Sequence, residues 1–418
     1  LSPRQKQAVE LAMREGVVVI TGGPGTGKTT TLRTMLQVME EEGRRVQLAA
    51  PTGRAAKRMA EATGFEAKTI HRLLEYNHAE GGNLCFQRNA ERRLETDVLI
   101  IDEVSMVDNM LMYSLLQAIP DGARLVLVGD ADQLPSVGAG SVLRDIVNSG
   151  NIPAIHLEEI FRQDQAGMIV VNAHRINRGE LPSYNKPKGD FFLVEVADAR
   201  AIAATVVDLC TRRLPKYLPC NPLEDIQVLS PMKRTTAGVE QLNRELQKAY
   251  NPPEAQKPEL FYKDIAFRLG DKVMQIKNNY EKAVFNGDMG VISEIDAEEG
   301  QLAVQFSDRE GEGPVFYERA EMEELALAYA ISVHKSQGSE FPVVVMVMTT
   351  QHQIMLQRNL LYTGVTRARS LVVLVGTQHA VAKAVRNNRE SKRYTHLAER
   401  LKEEAGVGSR EWGVGSGE

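Results

Sequence analysis

Aromatic residues, cysteines and positive net charge are all scarce in this chain of 418 residues. Aromatics make up 6%, and the single tryptophan, Trp412, lies in the polar tail SREWGVGSGE, so no tryptophan stacking platform is expected in the body of the protein. The three cysteines, Cys85, Cys210 and Cys220, are scattered, which excludes a disulfide framework and a cysteine metal site and points to reduced thiols and a cytoplasmic setting. No apolar run reaches membrane-spanning length, and the N-terminus does not resemble a signal peptide. The net charge of −5 excludes a broad basic face, so a polyanion would need a local groove. What is present, 43% apolar and 25% charged residues, suits a globular α/β protein of two or more domains. The chain begins at Leu1, as expected of a truncated or processed product.

The organising stretch is 17–31, VVVITGGPGTGKTTT. Val17–Ile20 reads as a buried strand, the Gly-rich turn follows, and Lys28 opens a helix with Leu32, Met35, Leu36 and Met39 at helical spacing. This is the phosphate-binding pattern G-x-x-x-x-G-K-[ST] in the strand–loop–helix context it requires. Gly23, Pro24, Gly25, Thr26 and Gly27 would cradle phosphate oxygens with backbone N–H groups, aided by the helix N-terminus. Lys28 would reach the β and γ phosphates, Thr29 would hold Mg²⁺, and Thr30 completes the set. The acidic partner is at the end of a third strand, DVLII, where Asp102 would bind the ion and Glu103 would polarise the attacking water. Gln133, in DADQLPSVGAG after strand RLVLVG, can sense the γ-phosphate.

Other stretches admit two readings. Gln5, in a helix capped by Ser2, can pair with adenine's edge or simply lie at the surface. Thr52 and Arg54, after strand 46–50, can grip a nucleic-acid backbone or cap a helix. Arg162, beyond the first sheet, can face a nucleotide or form a surface ion pair. Lys272, Lys277, Asn278 and Lys282 can line a strand-binding face or a solvated one.

Taken together, these motifs resemble those of superfamily 1 DNA helicases, nearest the RecD-like (1B) branch, over nearly the whole chain. LSPRQ is similar to the adenine-reading Q motif, GGPGTGKTT to motif I, APTGRAA to Ia, TIHRLL to Ib, IIDEVSM to II and GDADQLPSVGAG to III. EIFRQ, AISVHKSQGSE and LLYTGVTRAR are similar to motifs IV, V and VI. The resemblance implies an α/β fold with two RecA-like P-loop domains and ATP between them. The first would comprise 1–75 and 97–150, interrupted by a hairpin wedge at 76–96. The second would comprise 151–260 and 321–418, interrupted by an SH3-like barrel at 261–320. Arg162 and Arg367 would be arginine fingers, and Glu340 would join the nucleotide site. Strand contacts are implied at Pro51, Thr52, Gly53 and Arg54, at Thr69 and His71, at Val137, and at Ser332, His334 and Lys335. The 3′→5′, UvrD-like relatives carry aromatics in motifs Ia and III, where this chain has Pro51-Thr52-Gly53 and Leu134-Pro135-Ser136, so backbone grip replaces base stacking.

The implied activity is ATP- and Mg²⁺-dependent 5′→3′ unwinding by a monomeric motor on single-stranded and partial-duplex DNA, in repair or recombination. The N-terminal extension of stand-alone bacterial RecD-type proteins is expected to be absent, and with it any partner docking it provides. An RNA helicase or a single-strand translocase of the same superfamily would share this motor. A non-motor P-loop switch would leave Arg367 and the motif V stretch without a role.

Overall fold

A computed structural model describes residues 1–78, 84–159, 167–307, 309, 311, 313–388, 393 and 395–408. Two compact units are present: Leu1–Pro51, Ala55–Gln163 and Ser391–Glu418 form the first, Thr52–Arg54 and Asp164–Glu390 the second.

In the first unit, strands β1 (Val17–Gly22), β2 (Val46–Ala50), β3 (Ala67–Thr69), β6 (Val98–Ile101), β7 (Arg124–Gly129) and β8 (Ala154–Leu157) form a six-stranded sheet in the order β3-β2-β6-β7-β1-β8. All its pairings are parallel. Side chains alternate across a strand, so the two faces collect different residues. Val18, Ile20, Val98, Ile100, Val126 and Val128 pack with Leu32, Met35, Leu36 and Met39 of helix Lys28–Glu41. Val19, Leu99, Ile101, Leu125 and Leu127 pack with Met112, Leu115, Leu143 and Ile146 from helices Asn109–Ala118 and Val142–Ser149. Burial on both faces is what makes these strands continuous apolar runs rather than alternating ones. A two-stranded antiparallel hairpin, β4 (Tyr76–His78) with β5 (Leu84–Phe86), interrupts the sequence of the sheet. Its base is an aromatic cluster in which Tyr76 and Phe86 lie 4.6 Å apart, each with its ring centroid 5.7 Å from His71.

Two segments that the sequence reading assigns to the second domain belong to the first unit. β8 pairs with β1, and Ile155 and Leu157 join the core of Ile20, so the sheet runs beyond residue 150. Helix Leu397–Gly408 lies against helix Val142–Ser149, with Thr395 donating to Asp145 at 2.9 Å and Asn151 donating to the carbonyl of Leu401. Both segments are short or polar, and only their packing partners reveal their placement.

In the second unit, β9 (Phe191–Glu195), β10 (Ile226–Ser230), β18 (Ala330–Ser332), β19 (Phe341–Met348) and β20 (Ala368–Gly376) form a parallel sheet ordered β18-β10-β19-β20-β9. Between β10 and β18 come the hairpin β11 (Glu259–Tyr262) and β12 (Ile265–Arg268), then an antiparallel SH3-like sheet. Its strands are β13 (Lys272–Gln275), β14 (Met289–Asp296), β15 (Gln301–Phe306), β16 (Val315–Tyr317) and β17 (Leu325–Leu327), in the order β16-β15-β14-β13-β17. The fully buried Asp271 ties this insertion to its host sheet. One carboxylate oxygen accepts from Asn251 (2.7 Å) and Tyr329 (2.8 Å), the other from Gln247 (2.6 Å) and the Arg268 backbone (2.8 Å). No helix among the described residues is long and apolar enough to cross a membrane.

Candidate functional site

β1 ends at Gly22, where a Cβ would meet the Leu157 carbonyl oxygen at 2.7 Å and Thr26 Oγ1 at 2.8 Å. Only glycine lets the chain turn there. Gly25 (φ 74°) and Gly27 (φ 80°) take left-handed backbone conformations that L side chains rarely adopt. The buried Thr26 closes the loop by donating to the Gly23 carbonyl at 2.8 Å, and Thr31 donates to Gly27 at 2.9 Å. Lys28 folds back over its own loop, donating to the carbonyls of Gly22 (2.5 Å) and Gly23 (3.0 Å). Thr29 and Thr30 are exposed at the first turn of the helix.

Gln5 is 3% exposed. Its Oε1 accepts from the Ser2 backbone at 2.9 Å, and its Nε2 donates to the carbonyls of Thr26 (3.3 Å) and Gly27 (3.5 Å). Gln5 is therefore a buried brace beneath the phosphate loop rather than a surface side chain.

Strand β6 delivers Asp102 and Glu103 next to the loop. Asp102 accepts from the Glu103 backbone at 2.8 Å. Burial, then the neighbouring Glu103 charge, push its carboxyl above the usual range, opposed by Arg58 and Lys28. Glu103 has a left-handed backbone (φ 52°) and is 6% exposed. Its Oε1 accepts from Arg58 Nη2 at 2.5 Å. Arg58 comes from helix Gly53–Thr63 and is a residue the sequence reading overlooks. Nothing in GRAAKRMAEA singles out one basic side chain from its neighbours Arg54 and Lys57. Gln133 is 7% exposed, with Nε2 donating to Asp130 at 3.3 Å and Oε1 without a partner among the described residues.

The strand-contact candidates fall on several elements. Thr69 is 5% exposed and caps helix Ile70–Leu73 by accepting from the Arg72 backbone at 3.1 Å. His71 is built into the aromatic base of the hairpin, and burial lowers its pKa. These two residues have evident structural tasks. Val137 is 84% exposed. Its loop is held by Arg393, which donates to the carbonyls of Gly138 (2.7 Å) and Gly140 (2.6 Å), another contact that sequence alone does not reveal. Pro51, Thr52 and Gly53 lie at the turn into helix Gly53–Thr63. Arg54 donates to Ser339 Oγ at 3.3 Å, with its guanidinium 5.9 Å from the Phe341 ring centroid. Ser332 ends β18, and His334–Ser336 is a single helical turn from which Lys335 donates to Asn286.

The remaining candidates are held by the protein's own groups. Arg367 is 3% exposed, with its donors engaged by Thr363 (3.2 Å), Ser339 (3.2 Å) and Thr366 (3.2 Å). Glu340 pairs with Arg369 at 2.9 Å. Lys272 does not line a surface: it is 8% exposed, donates to the Leu223 carbonyl at 2.7 Å, and burial lowers its pKa to about 7. Lys277 and Lys282 pair with Glu323 and Glu321. The sheet of an SH3-like insertion has an inner face, and β13 is buried along its whole length. Arg162 lies outside the described residues.

The chain matches three family models: "AAA domain" over residues 1–188, "ATP-dependent RecD-like DNA helicase SH3 domain" over 242–306, and "UvrD-like helicase C-terminal domain" over 327–375. It is 33% identical over 417 residues to a "RecBCD enzyme subunit RecD" of Mycobacterium tuberculosis, spanning 91% of this chain and 70% of that one. The chain belongs to the RecD-like helicase family. It is also 38% identical over 403 residues to the "ATP-dependent RecD2 DNA helicase" of Deinococcus radiodurans, covering 96% of this chain and about half (52%) of that relative's length. Among solved structures, a Pif1 helicase studied at forked double-stranded DNA has the same fold, with TM-score 0.55 at 20% identity over 97% of this chain and 98% of that one. A Bacteroides Pif1 bound to ADP-AlF3 and single-stranded DNA gives TM-score 0.54 at 19% identity over 97% and 98%.

Proposed function

We propose that this RecD-like chain is an ATP-driven motor that moves 5′→3′ along single-stranded DNA and unwinds duplex DNA. The observation that carries this reading is the joint geometry of the phosphate loop and the Asp102-Glu103 pair in a RecD-like chain. The loop's left-handed glycines, Lys28 and a helix N-terminus form a polyphosphate cradle. Mg²⁺ fits the donor set: the exposed Thr29 hydroxyl and the Asp102 carboxylate are hard oxygen ligands beside a positively charged loop. When bound, that ion supplies positive charge against phosphate oxygens.

The chain's own residues perform the remaining tasks. Glu103 orients and deprotonates the attacking water. Gln133 holds an unpartnered acceptor in the buried turn after β7, suited to the same water. Arg162 and Arg367 neutralise charge on the transferring phosphoryl group; for Arg367 this requires exchange of its bonds to Thr363, Ser339 and Thr366. Thr52, Arg54, Ser332, His334 and Lys335 hold strand phosphates, the grip expected of a chain with no aromatic at the Pro51-Thr52-Gly53 and Leu134-Pro135-Ser136 turns.

The test is ATP turnover with and without single-stranded DNA or RNA of equal length. The account expects DNA to stimulate turnover more than RNA, and Glu103→Gln to lower stimulated kcat by ~100-fold or more. Equal stimulation by RNA and DNA would favour an RNA track, and turnover indifferent to either would favour a non-motor switch.

A further inference from the structure

The Arg58–Glu103 pair has no task in the chemistry above. Glu103 must accept a proton from water, yet its carboxylate is held by a guanidinium at 2.5 Å, with only 6% of the residue exposed. A charge-assisted bond of this kind occupies a lone pair that the attacking water would need. Glu103 has a left-handed backbone just past the end of β6, where the chain leaves the strand for a helical turn.

Arg58 belongs to helix Gly53–Thr63, whose first turn contains Arg54. Positions 54 and 58 are four apart and share one helix face. A helix moves as a rod, so a phosphate gripped at its first turn displaces the guanidinium one turn further on.

We propose that Arg58 is a positioning residue that holds Glu103 inactive until a strand is gripped at Thr52–Arg54, and thereby makes hydrolysis depend on nucleic acid. This inference rests on the assignment of Glu103 as the water-activating group. It concerns idle turnover, not the chemistry once the strand is bound.

The experiment measures ATP kcat and KM for the whole chain, with and without saturating single-stranded DNA, in wild type, Arg58→Gln, Arg58→Lys and Glu103→Gln. Arg58→Gln is expected to raise strand-free kcat about tenfold, the scale of losing one charged hydrogen bond, while strand-bound kcat stays within about twofold of wild type. The stimulation ratio collapses by the same factor and KM is unchanged. Arg58→Lys, which keeps the charge, restores most of the ratio. Equal loss of strand-free and strand-bound kcat in Arg58→Gln would make the pair merely structural and overturn the proposal. So would an unchanged ratio in both Arg58 variants. Should Arg58→Gln fail to fold, Arg58→Lys decides alone: its shorter, single-point donor is expected to raise strand-free kcat about twofold to threefold, and no rise overturns the proposal. Full activity in Glu103→Gln would instead sink the underlying assignment, which separates the two failures.

Discussion

Single residues in this protein take their tasks from where their polar atoms point. Gln5 shows this: its amide oxygen caps a helix and its nitrogen braces the phosphate loop, two bonds that sequence pattern alone leaves undecided. His352 is another case. It is fully buried, its Nε2 faces Thr235 Oγ1 at 2.9 Å, and its Nδ1 has no partner among the described residues. Burial lowers its pKa to about 4 from the ordinary 6.5. The folded state therefore keeps His352 neutral while the unfolded chain binds a proton below 6.5, so stability present above that pH is lost as pH falls toward 4. The loss approaches about 1.4 kcal/mol per pH unit within that window. Urea midpoints at pH 7.5 and 5 for wild type and His352→Gln check this: the variant should show the shallower drop, and equal drops would mean that His352 titrates normally.

At the scale of elements, legibility follows burial. β1 and β6 read as strands because both faces are covered and their apolar runs are unbroken. The phosphate loop and the acidic pair stand out in the sequence because phosphate chemistry admits few alternatives to glycine, lysine and a carboxylate at those places. The sheet that β8 joins is not legible in sequence, because the four residues AIHL carry no signal of which edge they pair with. Lys272 misleads for a related reason: lysine usually marks solvent, but here its ammonium reaches a carbonyl from inside a buried strand. Arg58 and Arg393 are invisible for want of any pattern, since a guanidinium's partner is set only by packing.

The hairpin of β4 and β5 yields an element-scale prediction. It stands on the His71, Tyr76 and Phe86 cluster and on Glu75, which accepts from Arg88 (2.8 Å) and Arg92 (2.8 Å). These contacts fix its base without involving the phosphate loop. Replacing residues 77–85 with a short glycine-serine link is expected to abolish duplex unwinding and to keep strand-stimulated ATP turnover within about threefold of wild type, given how well surface loops tolerate change. Strand displacement and phosphate release assays on the same preparation check this. Loss of both activities would remove the hairpin from the role of wedge.

For the whole molecule, two parallel sheets with an SH3-like insertion and a RecD-like sequence support a motor, while the net charge of −5 shows that strand binding cannot rely on bulk attraction. Grip must come from a few placed groups, so binding should be only moderately sensitive to salt. Directional movement driven by ATP is read out by unwinding of two partial duplexes, one with a 5′ and one with a 3′ single-stranded tail, in ATP and Mg²⁺. Strand separation is expected from the 5′-tailed substrate alone, and is expected to be abolished in Glu103→Gln. Unwinding from the 3′-tailed substrate alone would contradict the direction, and no unwinding of either, with strand-independent turnover, would contradict the motor itself.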